Sequence, residues 1–391
     1  MILVVLATAP CSNSPDNSDG VQSTTSPPDA VPPPTAVPLP LPPEVIYIID
    51  PNGGNLISNI IVLDGATAKT VKTYRVRYTP SIAFSTDGSA MYVADSYQTR
   101  VTRGEMNSYI SSFDTRTGSL LTDDVPLTDR TLYKFYPIGD PMFFASDGGD
   151  VLFSQKYGEP DPRIAVLDPD SFEVIEEAQT PSCGWRITAS ADEWLCVNSS
   201  GRVDDGFTTT ASIIDPIEGI EIKNLAVFQS DRVVEAVKPS DADVLFILTQ
   251  GGRVTAVDLL SGAITQADLE HEDNLSLGQI GTLAAMPDGS RLFVGFIGDD
   301  EEHRGFVVSE IRVYDTTSWK LEGTIEPDDP PMHFAISENG HRLYAVSPFE
   351  QSIAIYNTSD LELTAFRTGV GGTPARIVIP PLMNSSSAKS D

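Results

Sequence analysis

Ile110-Ser111-Ser112-Phe113-Asp114 reads as an alternating strand that stops at an aspartate, and the same stop recurs along the whole chain. It is first met at Ile61-Val62-Leu63-Asp64. It returns at Ile164-Ala165-Val166-Leu167-Asp168, Ser212-Ile213-Ile214-Asp215 and Val254-Thr255-Ala256-Val257-Asp258. The last copies are Ile311-Arg312-Val313-Tyr314-Asp315 and Ile353-Ala354-Ile355-Tyr356-Asn357, which makes seven at spacings of 42 to 57 residues. A short Asp or Asn side chain accepts a bond from backbone two residues on and so starts a tight turn.

A second element precedes each strand of this kind from the second copy onward. Its clearest forms are Phe84-Ser85-Thr86-Asp87-Gly88 followed by Met91-Tyr92-Val93, and Met286-Pro287-Asp288-Gly289 followed by Leu292-Phe293-Val294. Weaker forms are Ser146-Asp147-Gly148, Ser190-Ala191-Asp192, Ser240-Asp241 and Ser337-Glu338-Asn339-Gly340. Asp-Gly between β-rich runs signals a hairpin, because glycine accepts the positive φ of the turn. Two such elements in a repeat of this length describe one four-stranded propeller blade. The expectation is an all-β, seven-bladed β-propeller with four-stranded blades; a β-sandwich would leave the matched units unexplained. Val45–Ile49 at one end and Ala375–Ile379 at the other are lone β-rich runs, expected to share one blade and close the ring.

Outside the repeats the chain changes character. Residues 1–11 form a signal-like segment, with an apolar run ending in Ala7-Thr8-Ala9 and with Cys11 as the alternative of a lipid anchor. Residues 12–43 are a Ser/Pro-rich linker expected to be disordered, residues 44–381 the propeller, and residues 382–391 a polar tail. Cys183 and Cys196 sit in neighbouring short β-rich segments. An exported chain favours a disulfide there over two buried thiols, contributing about 3 kcal/mol by loop closure. No other segment has the roughly 20 apolar residues that span a bilayer.

The chain has 55 Asp and Glu against 25 Lys and Arg, a net charge of -30. Such a surface repels phosphate backbones and anionic lipid, so neither nucleic acid nor a membrane surface is expected as partner. Gly-x-Ser-x-Gly, His-Glu-x-x-His, phosphate-binding Gly loops and Cys-x-x-Cys-His are all missing. His303 after Asp299-Asp300-Glu301-Glu302, and the pair Asp328-Asp329, are acidic runs of the solvated-loop kind, so no metal is expected.

Two clusters are less bland. Tyr97-Gln98-Thr99-Arg100-Val101-Thr102-Arg103-Gly104-Glu105 places two arginines in a loop, where they grip either a carboxylate or partner chain or simply loop carbonyls. Arg130-Thr131-Leu132-Tyr133-Lys134-Phe135-Tyr136-Pro137 is unusually aromatic and reads first as a packing patch between blades. In order and spacing these runs resemble the heavy (β) subunit of methylamine and aromatic-amine dehydrogenases. The Cys183/Cys196 pair, Asp50-Pro51, and the stretch from His303 through Glu310-Ile311 to Asp315 share the resemblance.

The resemblance implies a periplasmic subunit that is not catalytic alone. It implies a small Cys-rich light chain, carrying a tryptophan-derived quinone and assembled with this chain as a heterotetramer. That enzyme would oxidise primary amines to aldehydes and pass electrons to a small copper protein, with no cofactor in this chain. Asn52-Gly53-Gly54-Asn55, where the family tends to place an aromatic, together with Arg100, Arg103 and Tyr136, would form the partner face and substrate entrance. The alternative is a stand-alone periplasmic propeller serving as a binding or scaffold module.

Overall fold

β-Branched and aromatic residues fill the strand runs, and Asp, Ser, Thr and Gly punctuate them, so the chain forms strands and tight turns. The computed structural model describes residue 42 and residues 44–51, 57–85, 88–98, 106–127, 143–145, 152–156, 163–168, 170–179, 183, 185–188, 193–202, 206–215, 218, 220–269, 276–277, 282–297 and 308–380. These belong to the compact unit Pro38–Asp391. No helix occurs among them.

The strands form four-stranded antiparallel sheets, taken up in chain order and consistent with a β-propeller. β1 (Val45–Asp50), β2 (Ile57–Asp64) and the first half of β3 (Thr70–Phe84) make sheet A. The second half of β3, with β4 (Ala90–Gln98), β5 (Met106–Asp114) and β6 (Leu120–Leu127), makes sheet B. Sheet C holds β7 (Phe143–Ala145), β8 (Leu152–Lys156), β9 (Arg163–Leu167) and β10 (Val174–Gln179). Sheet D holds β11 (Trp185–Thr188), β12 (Trp194–Arg202), β13 (Gly206–Asp215) and β14 (Ile220–Ser230). In sheet E are β15 (Val233–Val237), β16 (Val244–Thr249), β17 (Arg253–Asp258) and β18 (Ile264–Asp268). Sheet F contains β19 (Ser276–Leu277), β20 (Leu283–Ala285), β21 (Arg291–Ile297), β22 (Val308–Asp315) and β23 (Leu321–Ile325). Sheet G contains β24 (His333–Ile336), β25 (Arg342–Ser347), β26 (Ser352–Asn357) and β27 (Leu363–Arg367). The last strand, β28 (Arg376–Val378), returns to pair with β1 and completes sheet A, with Ile48 opposite Ile377. The expected meeting of the terminal runs is therefore observed.

Alternate residues of a strand serve different neighbouring sheets, so sheets A, B, E, F and G are packed on both faces. In β1, Ile46 and Ile48 pack with Tyr344, Val346, Ile353 and Ile355 of sheet G. Val45, Tyr47 and Ile49 pack with Ile82, Met91 and Val93 of sheet B. Comparable apolar seams join B to C, D to E, E to F and F to G. The leading strands β11, β15, β20, β24 and β28 touch one another in succession.

The aspartate stops act as read from the sequence. Asp258 Oδ1 accepts from Ser261 N at 2.7 Å and Ser261 Oγ at 2.6 Å, and Asp315 does the same with Ser318 at 2.6 Å each. Asp64, Asp114 and Asp168 use Thr67, Thr117 and Ser171. The next residue takes a positive φ, and at Phe172, Trp319 and Leu361 it is not glycine. That conformation costs about 1 kcal/mol or more. It aims the side chain at the preceding sheet: Phe172 meets Tyr92 edge-on at 6.2 Å, and Trp319 meets Phe246 at 6.2 Å. The two repeat elements are also bonded to each other. Thr115, Thr316 and Thr358, one residue past the stop, donate to the carbonyls of the hairpin glycines Gly88, Gly289 and Gly340.

Candidate functional site

The residues that shape the rim opposite the short turns can be found by counting. Ile46, Met91 and Leu343 pair with the residue just before each stop, namely Leu63, Phe113 and Tyr356. Four residues further along the same strands stand Asp50, Asp95 and Ser347. Each holds the chain segment that leads into its own sheet. Asp50, fully buried, accepts from Thr373 N at 2.8 Å, Gly372 N at 3.0 Å and Asn59 Nδ2 at 3.0 Å. Asp95 accepts from Arg77 N at 2.7 Å, where β3 passes from sheet A to sheet B. Ser347 donates to Asp329 Oδ1 at 2.8 Å on the way from sheet F into sheet G. Sheet F departs from the rule with Phe296, over whose ring the Arg312 guanidinium lies at 5.1 Å, ion-paired with Glu310 at 2.7 Å.

The richest of these places is the seam between sheets A and B. Arg77 reaches Asp95 at 3.2 Å, forks onto both oxygens of Asp124 and stacks over Tyr109 at 4.3 Å. Asp124 takes a positive φ of 48°, in a stretch where the β5–β6 register shifts, and Ser111 Oγ accepts its N–H at 3.1 Å. Burial holds the Asp95 carboxyl above the usual range in spite of Arg77, whereas the Arg77 hydrogen bond holds Asp124 below it. The Arg77 guanidinium is pushed further up, first by its bond to Asp124. Beside this network lies an open cleft of about 320 Å³ lined by Ile57, Val76, Val93, Phe113, Asp123 and the network itself. Its lining joins apolar side chains to the Ser111 hydroxyl, the Arg75 and Arg77 guanidiniums and the Asp95, Asp123 and Asp124 carboxylates, groups suited to recognition by charge and hydrogen bonds.

Asn52, Gly53, Gly54, Asn55, Arg100, Arg103 and Tyr136, expected at the partner face, lie outside the described residues, as does His303. The strands that bracket the first two groups are described: β1 and β2 end and begin at Asp50 and Ile57, and β4 and β5 at Gln98 and Met106. Ile57 pairs with Arg77, and Gln98 with Met106, three positions beyond the pair Asp95–Tyr109. Both connections thus spring from the A–B seam. The expected disulfide is present, Cys183 to Cys196 with Cα atoms 5.5 Å apart. Asp329 is a buried acceptor for Ser347 and Ser352, and no cluster of metal-ligating residues occurs among the described residues. Sequence reasoning missed the Arg77–Asp95–Asp124 network. Its signal was a polar residue at a constant offset in the strand before each stop.

The family model described as methylamine dehydrogenase heavy chain (MADH) matches residues 43–271. The methylamine dehydrogenase heavy chain of Methylophilus methylotrophus is 24% identical over 139 residues, covering 35% of this chain and 33% of that protein. Its counterpart in Methylorubrum extorquens is 25% identical over 151 residues, covering 38% and 36%. The aligned stretches thus span about a third of the length of these curated relatives. Among solved structures, Kuenenia stuttgartiensis hydrazine synthase superposes with a TM-score of 0.55 at 16% identity, over 85% of this chain and 100% of that one, a likeness of fold alone.

Proposed function

The chain belongs to the methylamine dehydrogenase heavy-chain family, and from that premise we propose that it is the non-catalytic heavy (β) subunit of a periplasmic quinoprotein amine dehydrogenase. In this reading its repeats make seven blades, and it scaffolds a small Cys-rich light chain in a heterotetramer. The light chain carries a tryptophan-derived quinone that accepts electrons from a primary amine, releasing the aldehyde, and a small copper protein takes them onward. The observation that carries the reading is the family match across residues 43–271.

The side chains of this chain agree with a supporting role. A quinone made from tryptophan must expose its oxidised ring to substrate. Trp194 is buried, Trp319 is packed against Phe246, and Trp185 packs into the D–E seam. In this reading none of the three is the quinone precursor, and the quinone belongs to the light chain. What this chain contributes is a rim at the A–B seam braced by Asp50, Asp95 and Arg77, offered to a partner.

Two preparations test the proposal. The chain is expressed alone and together with a short, Cys-rich exported chain encoded beside it. Amine-dependent dye reduction is expected only from the pair, which should co-purify. Robust turnover by the isolated 391-residue chain, or failure of any such small chain to associate, would overturn it.

A further inference from the structure

β3 serves two sheets, its first half as the outer strand of sheet A and its second half as the inner strand of sheet B. The seam between the sheets is tied at both ends of residues 72–77. Toward the short turns, Lys72 donates to the Gly118 carbonyl, and Tyr74 packs on Phe113 at 4.8 Å. Toward the rim, Arg77 spans to Asp95 and Asp124. The cleft of about 320 Å³ lies along this stretch, with Val76, Val93 and Phe113 in its lining. Ligand pockets run from about 300 Å³ upward, so this one is sized for a small molecule.

The charges of the cleft fall into two sets. Arg77, Asp95 and Asp124 are committed to one another. Arg75 and Asp123 are not. Both are exposed and both line the cleft, and among the described residues neither side chain has a hydrogen-bond or ion-pair partner. One comes from each sheet. Arg75 stands two residues before Arg77, so strand alternation sets both guanidiniums on one side of β3. Asp123 owes its place to a bulge. Ile110 pairs with Val125 and Ser112 with Thr122, so Ser111 alone stands opposite both Asp123 and Asp124. A regular ladder would send these two carboxylates to opposite faces, whereas the extra residue lets both line the cleft. An uncommitted cation and an uncommitted anion thus share one cleft without pairing to each other.

We propose that this cleft binds a small amino acid, a zwitterion with a primary ammonium and a carboxylate on a short chain, with Arg75 on the carboxylate and Asp123 on the ammonium. A guanidinium takes a carboxylate through two parallel N–H donors, and the Asp123 carboxylate accepts from the ammonium, so both contacts are charge-assisted. The methylenes between the two charges find Val76 and Phe113. A simple anion would meet Asp123 and Asp124 unmatched, and a simple cation would meet Arg75. Such like-charge meetings select against both and favour the ligand that carries both charges. At longer range the net charge of -30 repels free anions but not a neutral zwitterion. The site is complete in this chain and does not rest on the subunit reading.

The full-length chain, alone, is titrated with glycine, β-alanine, sodium propionate and ethylammonium chloride at constant ionic strength, with heat of binding and thermal midpoint as readouts. Propionate is β-alanine without its ammonium, and ethylammonium is β-alanine without its carboxylate. Saturable binding of an amino acid is expected, and the first two arms tell which charge spacing the cleft prefers. Either singly charged ion should bind about 10-fold more weakly or worse, a tenfold loss being about 1.4 kcal/mol. R75Q and D123N should each weaken the preferred amino acid about 10-fold and leave the ligand-free midpoint unchanged. D123N should also narrow the gap to propionate, and R75Q the gap to ethylammonium, since each removes the charge that repels that ion. R253Q, in the exposed Arg253–Asp268 pair of sheet E, should bind as wild type. Absence of saturation with both amino acids, or equal binding of a singly charged ion by the wild type, overturns the proposal. If R75Q and D123N fold with unchanged midpoints yet bind as wild type, the site is not here. Should either variant fold poorly, the comparison of the four ligands on the wild-type chain still decides. None of these outcomes bears on association with a light chain, so this proposal and the subunit reading fail separately.

Discussion

Replacing Asp50 with alanine should be among the most damaging single changes in the chain. The carboxylate has no exposed surface and accepts from Asn59 Nδ2, Gly372 N and Thr373 N, two of these more than 300 residues away in sequence. Alanine takes this acceptor from three half-buried donors, at up to about 1–3 kcal/mol each. Removing one side of a buried charged network costs about 3–5 kcal/mol in all, since such losses do not add fully. That is a large part of the roughly 5–15 kcal/mol by which a domain is stable. It falls on the one sheet made from both chain ends. Asn retains one acceptor oxygen, so D50N should lose about half as much. Gly371, at φ 76°, lies against the same carboxylate, and a Cβ there would stand 2.5 Å from Oδ2, so G371A should echo the effect. The assay is urea unfolding followed by tryptophan fluorescence, with D258A as reference, an exposed turn cap worth about 1 kcal/mol. If D50A proves no less stable than D258A, the carboxylate does not hold the ring closure and the reasoning is wrong.

Other expectations follow from the same geometry. Mass mapping without reduction should link the Cys183 and Cys196 peptides, and the double serine variant should lose about 3 kcal/mol. Serine hydrogen bonds hold the Asp258 and Asp315 carboxyls below their ordinary 3.8, the side-chain bonds from Ser261 and Ser318 first. The stability they contribute is therefore full above that value and is lost as pH falls through the folded values. D258N/D315N, which imitates Asn357, should flatten the acid side of the thermal midpoint curve below about pH 4. A chain starting at Glu44 keeps the Tyr344–Glu44 bond of 2.7 Å and all of β1, so its midpoint should match the full chain. A chain starting at Asp50 should fold poorly, and equal midpoints for the two truncations would refute closure by β1.

What could be read from the sequence was what is decided locally. Each stop Asp finds its partners within three residues, as Asp258 does with Ser261, so the turn is written beside the strand. The disulfide was legible because 13 residues separate its cysteines. Phe172 and Trp319 could not be read as positive-φ residues, because the packing that offsets that conformation comes from Tyr92 and Phe246 in other repeats. Asp50 was noticed only beside Pro51 as part of a family pattern. Its real partners lie at the opposite end of the chain, where no local rule reaches. Arg77 was passed over for the same reason, since Asp95 and Asp124 become its neighbours only once β3 has crossed between sheets.

The positive-φ residue four places after each stop also carries a history. Phe172 and Trp319 fill space against the sheet before them, whereas at Gly118 a side chain would collide with Lys72 and Tyr74, and at Gly262 with the Leu225 carbonyl. Each repeat is thus cut to fit one predecessor, like a key to its lock. Copies that were once interchangeable have lost that freedom, and transplanting the Trp319 turn behind sheet A would force an indole into space already held by Lys72 and Tyr74. A chain reopened at a different seam would keep every such match, whereas one with a single repeat deleted or two exchanged would break at least two. Descendants of this protein can therefore change where the ring begins far more easily than the order in which its parts follow.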